Sequence, residues 1–384
     1  MKLLVLGGTK FLGRATVENA LARGHEVTLF NRGETNPELF AEVERLRGDR
    51  NSDLTVLEGR SWDAVLDPSG YVPHVVRASA ELLADAVEHY VFVSSISVYA
   101  EQSGRNTEES PVGEIGDWPV DELVMDDGGG NYGPLKALCE EAVTEVFPGR
   151  HSNIRGGLLV GAHDPTGRFT YWPHRVARGG EVLAPAPPER KVQFVDVRDL
   201  AGWLLDLAER RVAGTFNATH PGRPWGDVLE TAREVSGSDA SFTWVPDAFL
   251  AEHEVGEWME LPLWLRDPEW VGMHMADVFP AIEAGVELPA AGGDDSRDAR
   301  PGGANRRGRA LARARGGAAQ RLARTRLAAS AAAARPAARK PANAQREVPS
   351  PLPTRPASRS IIDAVDPLTR SASPSATSVL VDGS

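Results

Sequence analysis

Short apolar runs alternate with longer stretches of helical periodicity over the first hundred residues of the chain. Residues 3–6 form a continuous apolar run, followed by a glycine-containing turn and a helical stretch over 14–23. Gly24 ends that helix, and 25–30 reads as a second strand. Residues 64–67 and 90–94 read as further buried strands, with a helix over 75–88 between them. Strands separated by helical patterns of about 10–15 residues imply βαβ units and a parallel sheet. Beyond Asn153 the pattern loosens. Strands are expected over 154–160 and 192–195, and helices over 199–209 and 225–235. No internal repeat is apparent.

Composition divides the chain in a way its averages conceal. The 384 residues carry a net charge of -12, yet every aromatic residue lies at or before Phe279. Residues 291–384 hold 17 basic against 7 acidic residues, and the remainder holds 25 against 47. The body is therefore strongly acidic and the tail strongly basic. The tail is an Ala/Arg/Pro/Gly/Ser low-complexity segment without the apolar content for a core, so it is expected to be disordered. The single cysteine, Cys139, excludes an intramolecular disulfide framework and any multi-cysteine metal site, and no metal is expected. No apolar run reaches the length of about 20 residues that a membrane helix needs. The opening residues read as a strand entering a loop rather than as a leader, which makes the cytoplasm the expected address.

Chemistry enters at Gly7-Gly8-Thr9-Lys10-Phe11-Leu12-Gly13, placed between the first strand and the first helix. Glycines there allow the backbone to approach a pyrophosphate, and the helix N-terminus favours its charge. The expected cofactor-binding residues in this turn are Gly7, Thr9, Lys10, Phe11, Leu12 and Gly13. At the end of the second strand, where NAD-binding folds usually place an acid for the ribose, the chain has Asn31-Arg32. A guanidinium suits a 2′-phosphate, and Lys10 is one of only five lysines against 37 arginines. NADP is therefore preferred over NAD. The fold expected is a Rossmann-type doubly wound parallel sheet with a smaller C-terminal α/β substrate domain. Its divisions are a dinucleotide-binding core over 1–152, a mainly substrate-binding part over 153–288 with some strands returning to the core, and the tail over 289–384.

A buried strand ends in Ser94-Ser95-Ile96-Ser97-Val98-Tyr99, and downstream Asn131-Tyr132-Gly133-Pro134-Leu135-Lys136 sets a tyrosine and a lysine on one helix face. A free phenol ionises near pH 10, so phenolate chemistry near neutrality requires about 4 kcal/mol of preferential stabilisation of the anion. A lysine ammonium nearby could supply it. In this order, glycine turn, serine strand and Tyr-Lys helix resemble the extended short-chain dehydrogenase/reductases, also called the NAD-dependent epimerase/dehydratase family. The resemblance runs from Met1 to about Leu288. It implies that Tyr132 is the acid/base, that Lys136 lowers its pKa and holds the nicotinamide ribose, and that Ser95 bonds the reacting oxygen. It also implies that Asp49, in the Gly48-Asp49 pair, contacts the adenine, and it likens 193–201 and 214–217 to strands and a strand-to-helix passage of the second half.

The departures narrow this further. Lys10 stands where the family's glycine turn usually has a third glycine, a form similar to an atypical branch that includes chloroplast stem-loop RNA-binding proteins. Ile96 and Ser97 occupy the places where 4,6-dehydratases carry acids, which disfavours dehydration. Ser97 and Arg168 are the expected substrate contacts, Arg168 because residues 164–172 mix a cation with aromatics. Trp258, Trp264 and Trp270 either line the same cleft or fill the smaller domain's core. The connection between Ala100 and Asn131, with nine acids and one base, reads as a lid or as a solvated excursion. Two functions remain: an NAD(P)-dependent reductase or epimerase acting on a carbonyl or alcohol substrate, and a non-catalytic nucleotide-binding protein. The charge of the body argues against nucleic acid as a partner. The tail admits a basic nucleic-acid arm, but also a frame-shifted reading. Residues 288–299 and 315–323, written in GC-rich codons and read one base later, take on ordinary helical composition. The oligomeric state is not legible.

Overall fold

The computed structural model describes residues 1–116, 119, 124–125 and 130–285. A seven-stranded sheet forms its centre. The strands are β1 (Lys2–Leu6), β2 (Glu26–Asn31), β3 (Glu44–Arg47), β4 (Trp62–Asp67), β5 (Val87–Ser95), β6 (His151–Gly156) and, after four short strands, β11 (Gly214–Ala218). Their spatial order is β11-β6-β5-β4-β1-β2-β3, and every pairing is parallel. The order reverses between β1 and β4, which opens a crevice at the carboxyl ends of those two strands.

β1 is apolar throughout because both faces of the sheet are covered, and Leu3, Leu4, Val5 and Leu6 are at most 1% exposed. On one face lie α1 (Phe11–Ala22) and α5 (Val197–Arg210), which contribute Leu12, Val17, Leu200 and Leu204 to a common core. On the other lie α2 (Pro73–Leu83) and α3 (Tyr132–Val146), with Val76, Leu83, Cys139 and Val143. This is the doubly wound arrangement the alternation implies.

A second, smaller core holds the remaining elements. It is built on α4 (Arg168–Ala177) and α6 (Trp225–Ser236), beside the parallel pair β8 (Glu181–Pro185) and β13 (Ser241–Val245). Trp172 and Trp225 meet edge-on at 5.0 Å in its centre. Two short pairs complete the layout: β7 (Leu159–Val160) with β10 (Val195–Asp196), and β9 (Lys191–Val192) with β12 (Arg223–Pro224).

Several expected elements are corrected. The helix expected over 75–88 ends at Leu83, because Val87 already pairs with Trp62 as the first residue of β5. The strand expected over 154–160 is two strands, parted where Gly157 packs so tightly that a Cβ would stand 2.6 Å from Thr219. The strand expected over 192–195 is likewise split between β9 and β10. β3 and α4 are additional elements. The tail over 289–384 lies outside the described residues, as do Gly128 and Gly129 and part of the acidic connection.

Candidate active site

The glycine turn follows β1 at the crevice. Gly7 and Gly8 take φ of +98° and +92°, and a Cβ on Gly8 would lie 2.7 Å from Leu29. Gly13 brings α1 against the turn, since its Cβ would lie 3.0 Å from Gly8 Cα. No side chain caps α1, so the amides of its first turn, from Phe11 to Gly13, have no partner within the helix. Asn31 and Asn36 brace the turn from outside, donating to the carbonyls of Gly7 at 2.7 Å and Thr9 at 2.8 Å. The Asn31 side chain also accepts the Gly33 amide. Thus Asn31, expected as a cofactor contact, has both of its polar ends engaged in scaffolding.

Arg32 follows directly. Its Nη2 lies 3.2 Å from the exposed Glu34 carboxylate, and its buried Nε has no hydrogen-bond partner among the described residues. Lys10 is exposed at the start of α1. Asp49 follows β3 and accepts the Asn51 amide at 3.0 Å. Beneath it a buried cluster joins the loop to β4, with Arg50 forming a two-pronged ion pair with Asp67 (2.8 and 2.6 Å) and Tyr90 donating to Asp67 at 2.8 Å. The buried Asp67 carboxyl is held below its usual pKa by Arg50 and Tyr90, which together outweigh the cost of burial.

The serine strand and the Tyr-Lys helix converge on the same crevice. Ser95 ends β5 and Tyr132 begins α3, which brings the Ser95 hydroxyl near enough to the Tyr132 phenol to lower its pKa. The Ser95 hydroxyl also donates to Ser97 Oγ and accepts the Ser97 amide, both at 3.1 Å. Gly133 makes this approach possible. A Cβ there would stand only 2.0 Å from the Ser97 carbonyl oxygen, so α3 can start against the serine turn only with glycine after the tyrosine. Pro134 lies in the first turn of α3, where its missing N–H costs nothing.

Lys136 is 2% exposed and donates to the carbonyls of Gly70 at 2.5 Å and Val93 at 2.7 Å. Its ammonium sits 4.6 Å from the centre of the Tyr71 ring and 4.7 Å from that of Phe92. Burial lowers its pKa to about 8. Burial raises that of Tyr132, with Tyr71 adding to the effect and the neighbouring Ser95 hydroxyl opposing it. The lowering influence on Tyr132 therefore comes from Ser95, whereas Lys136 was expected to exert it. Tyr71, in the turn after β4, is a site residue that the sequence reading missed; its ring centre is 6.4 Å from that of Tyr132.

Arg168 lies in the smaller layer at the start of α4, with its guanidinium 5.4 Å from the Trp258 ring centre. Phe169 and Trp172, taken with it as possible substrate contacts, are core residues with 3% and 1% exposure. Of the three later tryptophans, Trp264 is buried, Trp258 packs against the second core, and Trp270 is 49% exposed. The two parts meet through a short 3-10 turn, Val271–His274, and the segment after it. Gly272 donates to the Gln102 carbonyl at 2.6 Å, and Gln102 donates to that of Ile96 at 2.8 Å, beside Ser95.

Comparison with solved structures agrees with this layout. A UDP-Glc/GlcNAc 4-epimerase from Campylobacter jejuni superposes with a TM-score of 0.50 at 16% identity, covering 71% of this chain and 97% of its own. The fold is that of the extended short-chain dehydrogenase/reductases. Human epimerase family protein SDR39U1, solved with NADPH, gives a TM-score of 0.47 at 22% identity and covers 72% and 90% of the two chains. By sequence, the chain is 32% identical over 114 residues to the chloroplast stem-loop binding protein of 41 kDa b from Arabidopsis thaliana. That match covers 26% of this chain and 30% of the relative's length. No family model matches the chain.

Proposed function

We propose that the protein is an NAD(P)-dependent oxidoreductase or epimerase acting at a carbonyl or alcohol carbon of a small molecule, a sugar derivative being one such substrate. The observation that carries this reading is the meeting of Ser95, Tyr132 and Lys136 at the carboxyl ends of β4 and β5, next to the glycine turn. The cradle suits a dinucleotide. Gly7 and Gly8 hold backbone conformations that side chains resist, α1 is uncapped, and the Arg32 Nε is buried without a partner among the described residues. Gly7, Thr9, Lys10, Phe11, Leu12 and Gly13 would hold the pyrophosphate, Asp49 the adenine, and Lys10 and Arg32 a 2′-phosphate, which favours NADP.

The bound nicotinamide would supply or accept a hydride at the substrate carbon. In the reducing direction Tyr132 Oη gives its proton to the substrate oxygen, and Ser95 hydrogen-bonds that oxygen. In the reverse direction the phenolate takes the proton back. Two of the three Lys136 donors are committed to Gly70 and Val93, which fixes the ammonium in place and leaves one N–H for the ribose. The high pKa of Tyr132 keeps it a proton donor at neutral pH, and a cationic ring beside it would favour the phenolate. Ser97 and Arg168 are assigned to substrate.

The short match to a stem-loop binding protein favours a second reading, nucleotide binding without turnover. The surplus of acids in residues 1–290 opposes a broad phosphate-binding face. Replacing Tyr132 with Phe separates the two. We expect turnover, followed by NADPH absorbance across a panel of carbonyl compounds, to fall about 10²- to 10⁴-fold, while NADP binding persists. An unchanged rate removes Tyr132 from the chemistry.

A further inference from the structure

The dinucleotide reading leaves one cation unused. Arg47 ends β3, and the parallel register sets it directly opposite Asn31, the last residue of β2. At the next turn Gly33 takes φ +77°, and a Cβ there would lie 3.1 Å from Arg47 Nε and 3.3 Å from Cζ. The guanidinium thus lies against the Arg32-Gly33 turn, in room that exists only because residue 33 lacks a side chain.

Arg47 makes no hydrogen bond or ion pair among the described residues, in contrast to the arginines around it. Arg45 donates to the Pro37 and Leu39 carbonyls, Arg50 holds Asp67, and Arg60 holds Glu44. Among the described residues the neighbouring Arg32 has only Glu34, a side chain 64% exposed, and its Nε is unpartnered. Asn36 ties the same turn to Thr9, which brings Lys10 to its edge. Three cations therefore border one turn, and Glu34 is the one carboxylate paired with any of them among the described residues, in a body that is otherwise strongly acidic. Unpaired like charges repel, and such a cluster is relieved by a dianion that several donors can share.

We infer that Arg47 is a specificity-determining residue, forming with Arg32 a two-guanidinium clamp on the phosphate carried by the 2′-oxygen of the adenosine ribose. The clamp rests on the proposed dinucleotide site and deepens it. Arg32 grips the phosphate from the end of β2 and Arg47 from the end of β3, while Lys10 closes the side facing the glycine turn. A plain ribose offers Arg47 no charge, so its contribution falls on NADP alone.

Calorimetric titration of the full chain with adenosine 2′,5′-bisphosphate and with 5′-AMP tests this without any need for turnover. Arg47→Ala should weaken the bisphosphate about tenfold, the scale of one charge-assisted contact, and leave 5′-AMP within about twofold. Arg47→Lys should recover part of the loss, because a point charge replaces a fork. Equal weakening of both ligands, or none, overturns the clamp. Thermal melts of both variants matching the wild type would show that the fold is intact. If the wild type binds neither ligand, the dinucleotide reading itself fails, and the clamp with it.

Discussion

Gly133 illustrates how much of the site depends on single residues that carry no reactive group. The proposed trio was legible in the sequence because Ser95, Tyr132 and Lys136 belong to spaced motifs, and a motif survives without knowledge of the fold. The glycine between them was legible only as a letter. Its role appears when α3 is laid against the serine turn and a Cβ would overlap the Ser97 carbonyl oxygen. Backbone cannot yield as a flexible side chain can, so Gly133→Ala must push α3 away from the turn. We predict a loss of about 1–3 kcal/mol in stability, the scale of an overpacked core, measured by urea denaturation. Turnover should fall further than that stability loss explains, because Tyr132 is displaced from Ser95. An alanine variant with wild-type stability and rate would refute this. Tyr71 and Arg47 escaped the sequence reading for the same reason. One is brought to Lys136 by a turn and the other to Asn31 by strand register, and neither relation is encoded locally.

At the scale of elements, legibility followed apolar patterning. The doubly covered strands were plain because they are nearly continuous apolar runs, whereas β3 reads Glu-Arg-Leu-Arg and buries only Leu46. α4 was missed although Phe169, Trp172, Pro173 and Val176 lie at helical spacing and are buried, because the cation and aromatics of 164–172 pointed to substrate contact rather than to a helix. The joint between the two parts was invisible beforehand, and it rests on Gln193. This buried side chain donates to the Ala276 carbonyl at 2.9 Å and accepts the Ala276 amide at 2.8 Å. It thereby fixes the segment that leans on Gln102 and, through it, on the serine turn. Gln193→Leu would leave both backbone groups of Ala276 buried and unpaired. We predict a cost of about 2–4 kcal/mol and faster proteolysis near residues 270–280. Gln193→Glu, which keeps the acceptor, should recover part of the loss. If leucine is tolerated without change, the segment is held by something else.

Across the whole molecule, the acid limb of stability follows from two histidines that no motif marks. His89 and His274 are 1% and 7% exposed, and burial lowers both to a pKa of about 4. Nearby positive groups, Arg150 and His151, add to the effect at His89. His89 Nε2 donates to Ser152 Oγ, whose own hydrogen goes to the Val212 carbonyl, and His274 Nδ1 accepts the Gln193 amide. In the unfolded chain each ring ionises near 6.5. Between about pH 6.5 and 4 the unfolded state therefore binds more protons than the folded one, so stability falls as the pH is lowered through that window. Each histidine contributes at most about 3 kcal/mol of that loss. The two together should lower the melting temperature on the order of 10 °C between pH 6.5 and 4.5. Asp67 extends the decline to lower pH, because its carboxylate is stabilised only in the folded protein. The decisive comparison is the slope of melting temperature against pH. His89→Gln retains a donor for Ser152 but cannot ionise, so it should flatten the slope by about half. An identical slope in that variant would remove His89 from the acid limb.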